Sequence, residues 1–283
     1  MPGPTPRSLI LDLLSTLTRG SMPVAALVEA AEIFGLAPGT VRVALARLLA
    51  SGRIERDERG RYRLGSAAAP IQAVVQGWRD LGARSAPWDG SWWGVLDADA
   101  ARRGAAARRH ARALRLRGFR RLRPGLSLRP ANLRVGCAAL RDELARLGMA
   151  PGALVCTLRD LDDASEARAR SLYEPEVLRA GYRDALAELE ASHAHLASLP
   201  LPEAMRESFL IGGRAIQRLA LDPLLPREIL DPHERDALQR ALRDYDRRGR
   251  ECWAAFLARF DVPHRQAPAD TRAADGAARL VAA

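Results

Sequence analysis

The sequence contains no lysine and only three cysteines, and these absences narrow the possible classes of protein. All 44 basic residues are arginines, which is typical of a GC-rich coding sequence, so arginine content alone does not indicate a function. Cys137, Cys156 and Cys252 lie far apart, and none has a histidine or cysteine at metal-ligand spacing. We therefore expect neither a disulfide framework nor a zinc site.

Long apolar runs and catalytic motifs are also absent from the sequence. No run approaches the ~20 apolar residues of a membrane span, and Met1–Arg7 lacks the pattern of a signal peptide. We expect a cytoplasmic protein that makes no contact with a membrane. A glycine-rich phosphate loop, a nucleophile elbow, HExxH and CxxC are all missing. This favours a binding protein over an enzyme, with no cofactor and no metal.

The 283 residues are 48% hydrophobic, which is enough for two or three domains with separate cores. The formal net charge of +10 is distributed unevenly along the chain. Residues 1–65 carry +3, residues 66–160 carry +10, and residues 161–283 carry −3. The middle third therefore holds the basic excess.

Between Met22 and Leu64 the sequence predicts a winged helix-turn-helix. Pro23 and Pro38 are good first residues of two helices, and Gly35 ends the first of them. Apolar residues recur at helical spacing in the second helix, namely Val41, Ala44, Leu45, Leu48 and Leu49. Residues 53–56 and 61–64 then predict the two short strands of a wing around Asp57, Glu58, Arg59 and Gly60. A helix predicted over Arg7–Thr18 precedes the two helices of the helix-turn-helix and packs against them.

The face of the second helix opposite its apolar stripe is the candidate DNA-reading surface. Thr40, Val43 and Arg47 point away from the stripe, with Arg42 at its margin, and are suited to a major groove. On the wing, Arg59 and Arg61 are candidates for contacts with the DNA backbone. A helical hairpin in an ordinary core is the alternative that this pattern leaves open.

The middle of the chain predicts the order β, α, β, β, α, β, which is that of a ferredoxin-like domain. The strands are expected at 92–96, 119–122, 126–128 and 153–158, and the helices at 100–117 and 133–147. Pro124-Gly125 provides the turn of the central hairpin.

Twelve arginines, one histidine and no acid occupy the stretch from Arg102 to Arg134, here called the arginine stretch. Three interpretations remain open: a solvated helix face, a phosphate-binding surface for DNA or a small molecule, and pairing with the acidic C-terminal third or a second subunit. Asp97 and Asp99 lie at the end of the first strand of this region. A weak magnesium site there is the basis of an alternative function, a metal-dependent nuclease.

After a polar connector at Asp160–Ser165, the pattern predicts three long helices. The fold class is thus α+β, mainly α, with a winged helix-turn-helix, a ferredoxin-like domain and an α-helical C-terminal domain. We place a DNA-binding domain at 1–66, a connector helix at 67–86, the ferredoxin-like domain at 87–162, the helical domain at 163–265 and a flexible tail at 266–283.

Three short stretches follow one another along the chain: Arg7–Ile10 with Thr40–Leu48 and Ser51-Gly52, then Trp88–Trp92, and then Asp222–Pro226. Together they resemble the PaaX-type repressors of phenylacetate catabolism. The similarity covers residues 7 to about 260. Arg42 and Arg47 match two arginines of the family and Gly52 its turn glycine.

The resemblance implies a homodimer that binds operator DNA and is released by an aryl-CoA or other acyl-CoA thioester, typically phenylacetyl-CoA. Because guanidinium groups match the phosphates of CoA, Arg108, Arg109, Arg112 and Arg115 are the candidate effector-binding residues. Beside this repressor we keep two hypotheses, the nuclease at Asp97 and Asp99 and an architectural DNA binder that has no effector.

Overall fold

The computed structural model describes residues 3–17, 20–57, 59–99 and 103–263, in which helices predominate over two small antiparallel sheets. This confirms the predicted fold class, mainly α with some β. Thr18, the wing residue Glu58, residues 100–102 and the predicted tail at 266–283 lie outside the described residues. None of the described helices is both long and apolar enough to cross a bilayer.

The chain divides into two compact units. Within the described residues, the first contains those up to Leu64 together with residues 247–263, and the second contains those from Gly65 to Asp246. The five-part division drawn from the sequence is finer than this and stays a prediction.

The first unit begins with the predicted helix-turn-helix and wing. Its elements are α1 (Pro6–Ser15), α2 (Val24–Glu32), α3 (Pro38–Ala50), β1 (Ile54–Arg56) and β2 (Tyr62–Leu64). The Thr5 hydroxyl caps α1 by accepting a hydrogen bond from the Ser8 amide at 3.1 Å. Proline stands in the first turn of α1 and of α3, where its missing N–H leaves no helical bond unmade.

Each of these three helices buries one apolar face in a shared core. The buried side chains include Leu9, Ile10, Leu13, Leu14, Ala26, Leu27, Ala30, Ala31, Val41, Leu45 and Leu48. Ile54 of β1 closes the same core and is fully buried. Burial of this area is the main stabilising contribution to the unit, since each Leu or Ile side chain contributes about 1.5–3 kcal/mol.

The second unit holds the four-stranded sheet and most of the remaining helices. Its elements are α4 (Ala69–Gln76), α5 (Leu81–Arg84), β3 (Trp92–Leu96), α6 (Gly104–Leu116), β4 (Arg120–Arg123), β5 (Leu126–Pro130), α7 (Cys137–Leu147), β6 (Leu154–Leu158), α8 (Asp163–Ser171), α9 (Pro175–His195), α10 (Leu201–Ala220) and α11 (His233–Ala258). The helix α11 continues past Asp246, so its last residues belong to the first unit.

The sheet has the strand order β4-β5-β3-β6, and every neighbouring pair is antiparallel. Trp92 lies opposite Pro130 on β5 and opposite Leu158 on β6. With α6 after the first strand and α7 after the third, this is the predicted ferredoxin-like βαββαβ arrangement.

The helix α8 occupies part of the segment that the sequence analysis treated as a polar connector. Asp162 begins it, because its carboxylate accepts hydrogen bonds from the amide and the hydroxyl of Ser165. Glu166 then accepts a hydrogen bond of 2.7 Å from the indole N–H of Trp92 on β3. The connector prediction was therefore wrong beyond Asp162, because the helix start is set by a polar cap and not by an apolar stripe.

Arg129, on β5, is a buried charge that joins three parts of the second unit (2% exposed). Its guanidinium donates to the carbonyl oxygens of Arg117 at 2.5 Å and of Pro223 at 3.2 Å, and to Asn132 Oδ1 at 3.0 Å. Asn132 in turn donates to the carbonyl oxygen of Leu224 at 2.6 Å. Burial lowers the pKa of Arg129 to about 9, which leaves it charged at neutral pH. The turn that follows α10 is thus held against the end of α6 and against β5.

Replacement of Arg129 by methionine should lower the free energy of unfolding by about 3 kcal/mol, because several buried carbonyl and amide oxygens lose their donor. Denaturant unfolding followed by circular dichroism measures this loss. Arg146→Met, at an exposed position of α7, is the control and should change stability by less than about 0.5 kcal/mol. Equal losses in the two variants would show that Arg129 has no special structural role.

Candidate nucleic-acid interface

The outward face of α3 is the principal candidate site. Val41, Leu45 and Leu48 point into the core, and at 3.6 residues per turn this leaves the opposite face in solvent. All four residues predicted to read bases are exposed there: Thr40, Arg42, Val43 and Arg47. Val43 is 52% exposed and adds an apolar group to this otherwise polar and basic face.

The turn between α2 and α3 sets the angle at which this face is presented. Gly35 has φ +73°, a left-handed conformation that favours glycine. The amide of Leu36 donates to the carbonyl oxygen of Ala31, which ends α2 with a tight cap. Two residues later Pro38 starts α3.

The polar groups on this face are available to a partner. Neither Arg42 nor Arg47 has an ion-pair or hydrogen-bond partner among the described residues. The Thr40 hydroxyl donates to the carbonyl oxygen of Ala37 at 2.6 Å, and its oxygen can still accept a hydrogen bond. Guanidinium groups donate to guanine edges, and an exposed valine contacts a thymine methyl group. The face therefore carries the chemistry of direct base readout.

The wing is built on a hydrogen-bonded turn around Asp57. The Asp57 carboxylate accepts from the Ser21 hydroxyl at 2.7 Å and from the backbone amides of Arg59 and Arg61. These bonds, the Ser21 contact first, hold the pKa of Asp57 below its ordinary value. Met22 also exchanges two backbone hydrogen bonds with Tyr62, which forms an isolated antiparallel β-bridge beside the wing.

The two wing arginines that were both predicted to contact the DNA backbone have different environments in the structure. Arg59 is exposed and its side chain has no partner in the described part of the chain. Arg61 points back into the unit, where it donates to the carbonyl oxygens of Ser21 at 3.0 Å, Phe260 at 3.3 Å and Asp261 at 3.1 Å. The expectation for Arg61 needs correction, because its donors are used by backbone acceptors within the protein.

The end of α11 forms part of the same unit, which the sequence did not indicate. Trp253 stacks on Phe34 with ring centroids 6.5 Å apart, and Arg259 forms an ion pair of 2.8 Å with Glu29. Both contacts are made with the α2 region, and Arg61 ties the residues after α11 to the wing. The only sign of this packing in the sequence was the apolar stripe of α11. Such a stripe shows that the helix packs against something, but it does not identify the partner surface.

The arginines of the arginine stretch lie in different environments in the folded chain. Arg117 and Arg129 are buried, and Arg117 forms an ion pair of 2.7 Å with Glu143. Of the predicted effector-binding residues, Arg108, Arg109 and Arg115 are exposed on α6 and Arg112 is half-buried there. Only Arg115 among these four lines the cleft beside α6.

Asp97, one of the two candidate metal ligands, lies beside His110, and Asp99 lines the same cleft. Asp97 Oδ2 is 3.6 Å from His110 Nε2, and Asp97 Oδ1 accepts from the amide of Asp99 at 3.2 Å. Within the described residues, no group of three or more His, Cys, Asp or Glu side chains is placed to hold a metal ion.

Arg61→Gln should lower the free energy of unfolding by about 1–2 kcal/mol, because the glutamine amide cannot reach all the carbonyl oxygens that Arg61 serves. Thermal and denaturant unfolding measure this change. Arg59→Gln, two residues away and exposed, should leave stability within about 0.5 kcal/mol of the native value. The assignment of Arg61 to the interior fails if the two variants are equally stable.

Comparison with known proteins supports the interpretation of the first unit. The family model of PaaX-like proteins matches residues 5–68. No curated protein matches the chain. Among solved structures, the uncharacterized protein Rv0674 from Mycobacterium tuberculosis is 24% identical, with a TM-score of 0.52 over 88% of this chain and 98% of that one, which shows a shared fold. The resemblance to the PaaX-type family is thus confirmed over residues 5–68, the segment that forms the helix-turn-helix and its wing.

Proposed function

We propose that this chain is a homodimeric repressor of a catabolic operon, released from its operator by an aryl-CoA or other acyl-CoA thioester such as phenylacetyl-CoA. The PaaX-like match indicates a transcriptional regulator that binds DNA. The observation that carries the proposal is the exposed face of α3, with two arginines that have no partner in the described part of the chain.

In this proposal α3 enters the major groove and the wing lies over the adjacent backbone. Arg42 and Arg47 contact base edges, with Thr40 and Val43 beside them, and each good contact discriminates by about 1–3 kcal/mol. Arg59 contacts a phosphate, which adds affinity without sequence information. Arg61 has a different task, since it holds the wing to the residues that follow α11.

Two copies are proposed to read two half-sites of one operator. A symmetric dimer of winged helices reads half-sites that are one or more helical turns apart, so the operator should be an inverted repeat. The contacts of Trp253, Arg259 and Arg61 make the end of α11 a support for α2 and the wing. A shift of this helix end would alter the presentation of α3, which is a physical route by which an effector could release the DNA.

The proposal includes no catalytic step. Asp97 faces His110 and accepts a backbone hydrogen bond, and no comparison favours a nuclease at Asp97 and Asp99. We therefore do not carry the nuclease alternative further.

Arg42→Ala and Arg47→Ala should each weaken binding to the operator by about 1–3 kcal/mol, while binding to unrelated DNA changes much less. Fluorescence anisotropy at fixed salt, with and without competitor DNA, measures both affinities. Arg248→Ala is the matched control, because this exposed arginine is paired with Glu251 on α11. Equal losses on operator and unrelated DNA would contradict base readout and support an architectural DNA binder.

A panel of acyl-CoA thioesters tests the effector. Purified protein is bound to the promoter DNA of its own operon, and free CoA and the thioesters are added at constant ionic strength. We expect one thioester to release the DNA at micromolar concentration, about two orders of magnitude below the concentration of free CoA that is needed. A ligand releases the DNA only if it binds the DNA-free protein more tightly than the DNA-bound protein. If the protein binds this DNA specifically and no thioester changes the binding, the assignment as a regulator stands and the assignment of a CoA effector is wrong.

A further inference from the structure

We propose that the cleft between α6 and the β4–β5 hairpin binds the phosphorylated ribose part of the effector. This inference rests on the proposed function and identifies where, and by which chemistry, the effector is held. The cleft has a volume of about 330 Å³. This is the lower end of the range for small-molecule sites and suits one part of a CoA thioester, whereas a DNA duplex is too wide to enter it.

Ten of the fifteen residues that line the cleft lie on β3, α6, β4 or β5, so most of its shape is set by regular elements. Its lining includes the apolar residues Val95, Ala107, Ala111, Leu114, Phe119 and Leu126. Val95 is buried on β3, and Leu114 is buried on α6. An apolar floor with a few polar groups at its rim is the usual composition of a ligand site.

Two arginines at the rim provide donors for a phosphate. Arg115 comes from α6 and Arg121 from β4, and both line the cleft and are exposed. Neither has an ion-pair or hydrogen-bond partner among the described residues. The neighbouring Arg120 differs, since it donates to the carbonyl oxygen of Phe119 and lies 5.6 Å from the Tyr173 ring centroid. Arg115 and Arg121 are therefore the guanidinium groups that a phosphate would meet.

The acidic side of the cleft indicates which phosphate compound is bound. The amide of Ala150 donates to His110 Nδ1 at 3.1 Å, so in the neutral ring the proton is on Nε2, which faces Asp97. Asp97 and Asp99 line the cleft with His110. Carboxylates repel the DNA backbone, but they accept hydrogen bonds from ribose hydroxyl groups. Arginines beside carboxylates thus suit a phosphorylated ribose better than a DNA strand.

The remaining arginines of α6 lie outside this site. Arg108, Arg109 and Arg112 do not line the cleft, and of the four effector candidates only Arg115 does. The helix period explains this for Arg109 and Arg112, which lie on other sides of α6 than the stripe of residues 107, 111 and 114 that lines the cleft. Arg108 lies close to the same side as Arg115, but about two turns nearer to the start of the helix.

The test is calorimetric titration of the full-length protein with adenosine 3′,5′-bisphosphate, free CoA and phenylacetyl-CoA. The double variant Arg115→Gln/Arg121→Gln should lose roughly tenfold or more in affinity for all three compounds. Arg108→Gln/Arg109→Gln is the matched control, with the same loss of charge from exposed arginines, and should bind within about twofold of the native protein. Unfolding curves for both variants establish that each is folded.

The possible outcomes separate this inference from the proposed function. The cleft assignment is overturned if the native protein binds none of the three compounds, or if the control pair loses as much affinity as the cleft pair. Adenosine 3′,5′-bisphosphate binding that depends on Arg115 and Arg121, without release of DNA by any thioester, would support the cleft and disprove release by an effector. Loss of DNA binding in the cleft pair, with nucleotide affinity unchanged, would assign these arginines to DNA.

Discussion

The burial of one stripe of α3 is the constraint on which the DNA-binding surface depends. Once Val41, Leu45 and Leu48 are packed against α1 and α2, the helical period directs Arg42 and Arg47 into solvent. The other parts of the first unit preserve this orientation. The turn at Gly35, the hydrogen-bonded wing and the end of α11 all restrain α2, α3 or the strands that follow them.

The second unit shows how an arginine-rich sequence accommodates its charge. Each N–H group of a buried guanidinium that stays unbonded costs free energy, because its hydration is lost. Arg129 donates to carbonyl oxygens of several segments. Arg117 pairs with Glu143, although its Nε has no hydrogen-bond partner among the described residues. These arginines hold the ferredoxin-like sheet to the helices around it. The exposed arginines of α6 and β4 have no such task and remain available to ligands.

The sequence predicted elements well where one apolar pattern decides the structure. The strand at Trp92–Leu96 and the start of α3 at Pro38 are where the pattern placed them, because a short apolar run and an N-terminal proline act locally. The helix α8 was partly missed, since it begins at the polar cap of Asp162 and its apolar stripe is weak. Of the candidate site, the exposure of the α3 face was predictable, whereas the inward direction of Arg61 was not.

The sequence by itself determined the helix-turn-helix, its exposed arginines and the βαββαβ order, because helical and strand periods relate residues that are close in the chain. Only the tertiary structure decided which arginines are structural and which line the cleft. Arg61 meets residues about 200 positions away, and the cleft combines Arg115 of α6 with Arg121 of β4. Such contacts depend on how separate elements pack, and arginines with identical chemistry give no local signal of which carbonyl, carboxylate or ligand each will meet.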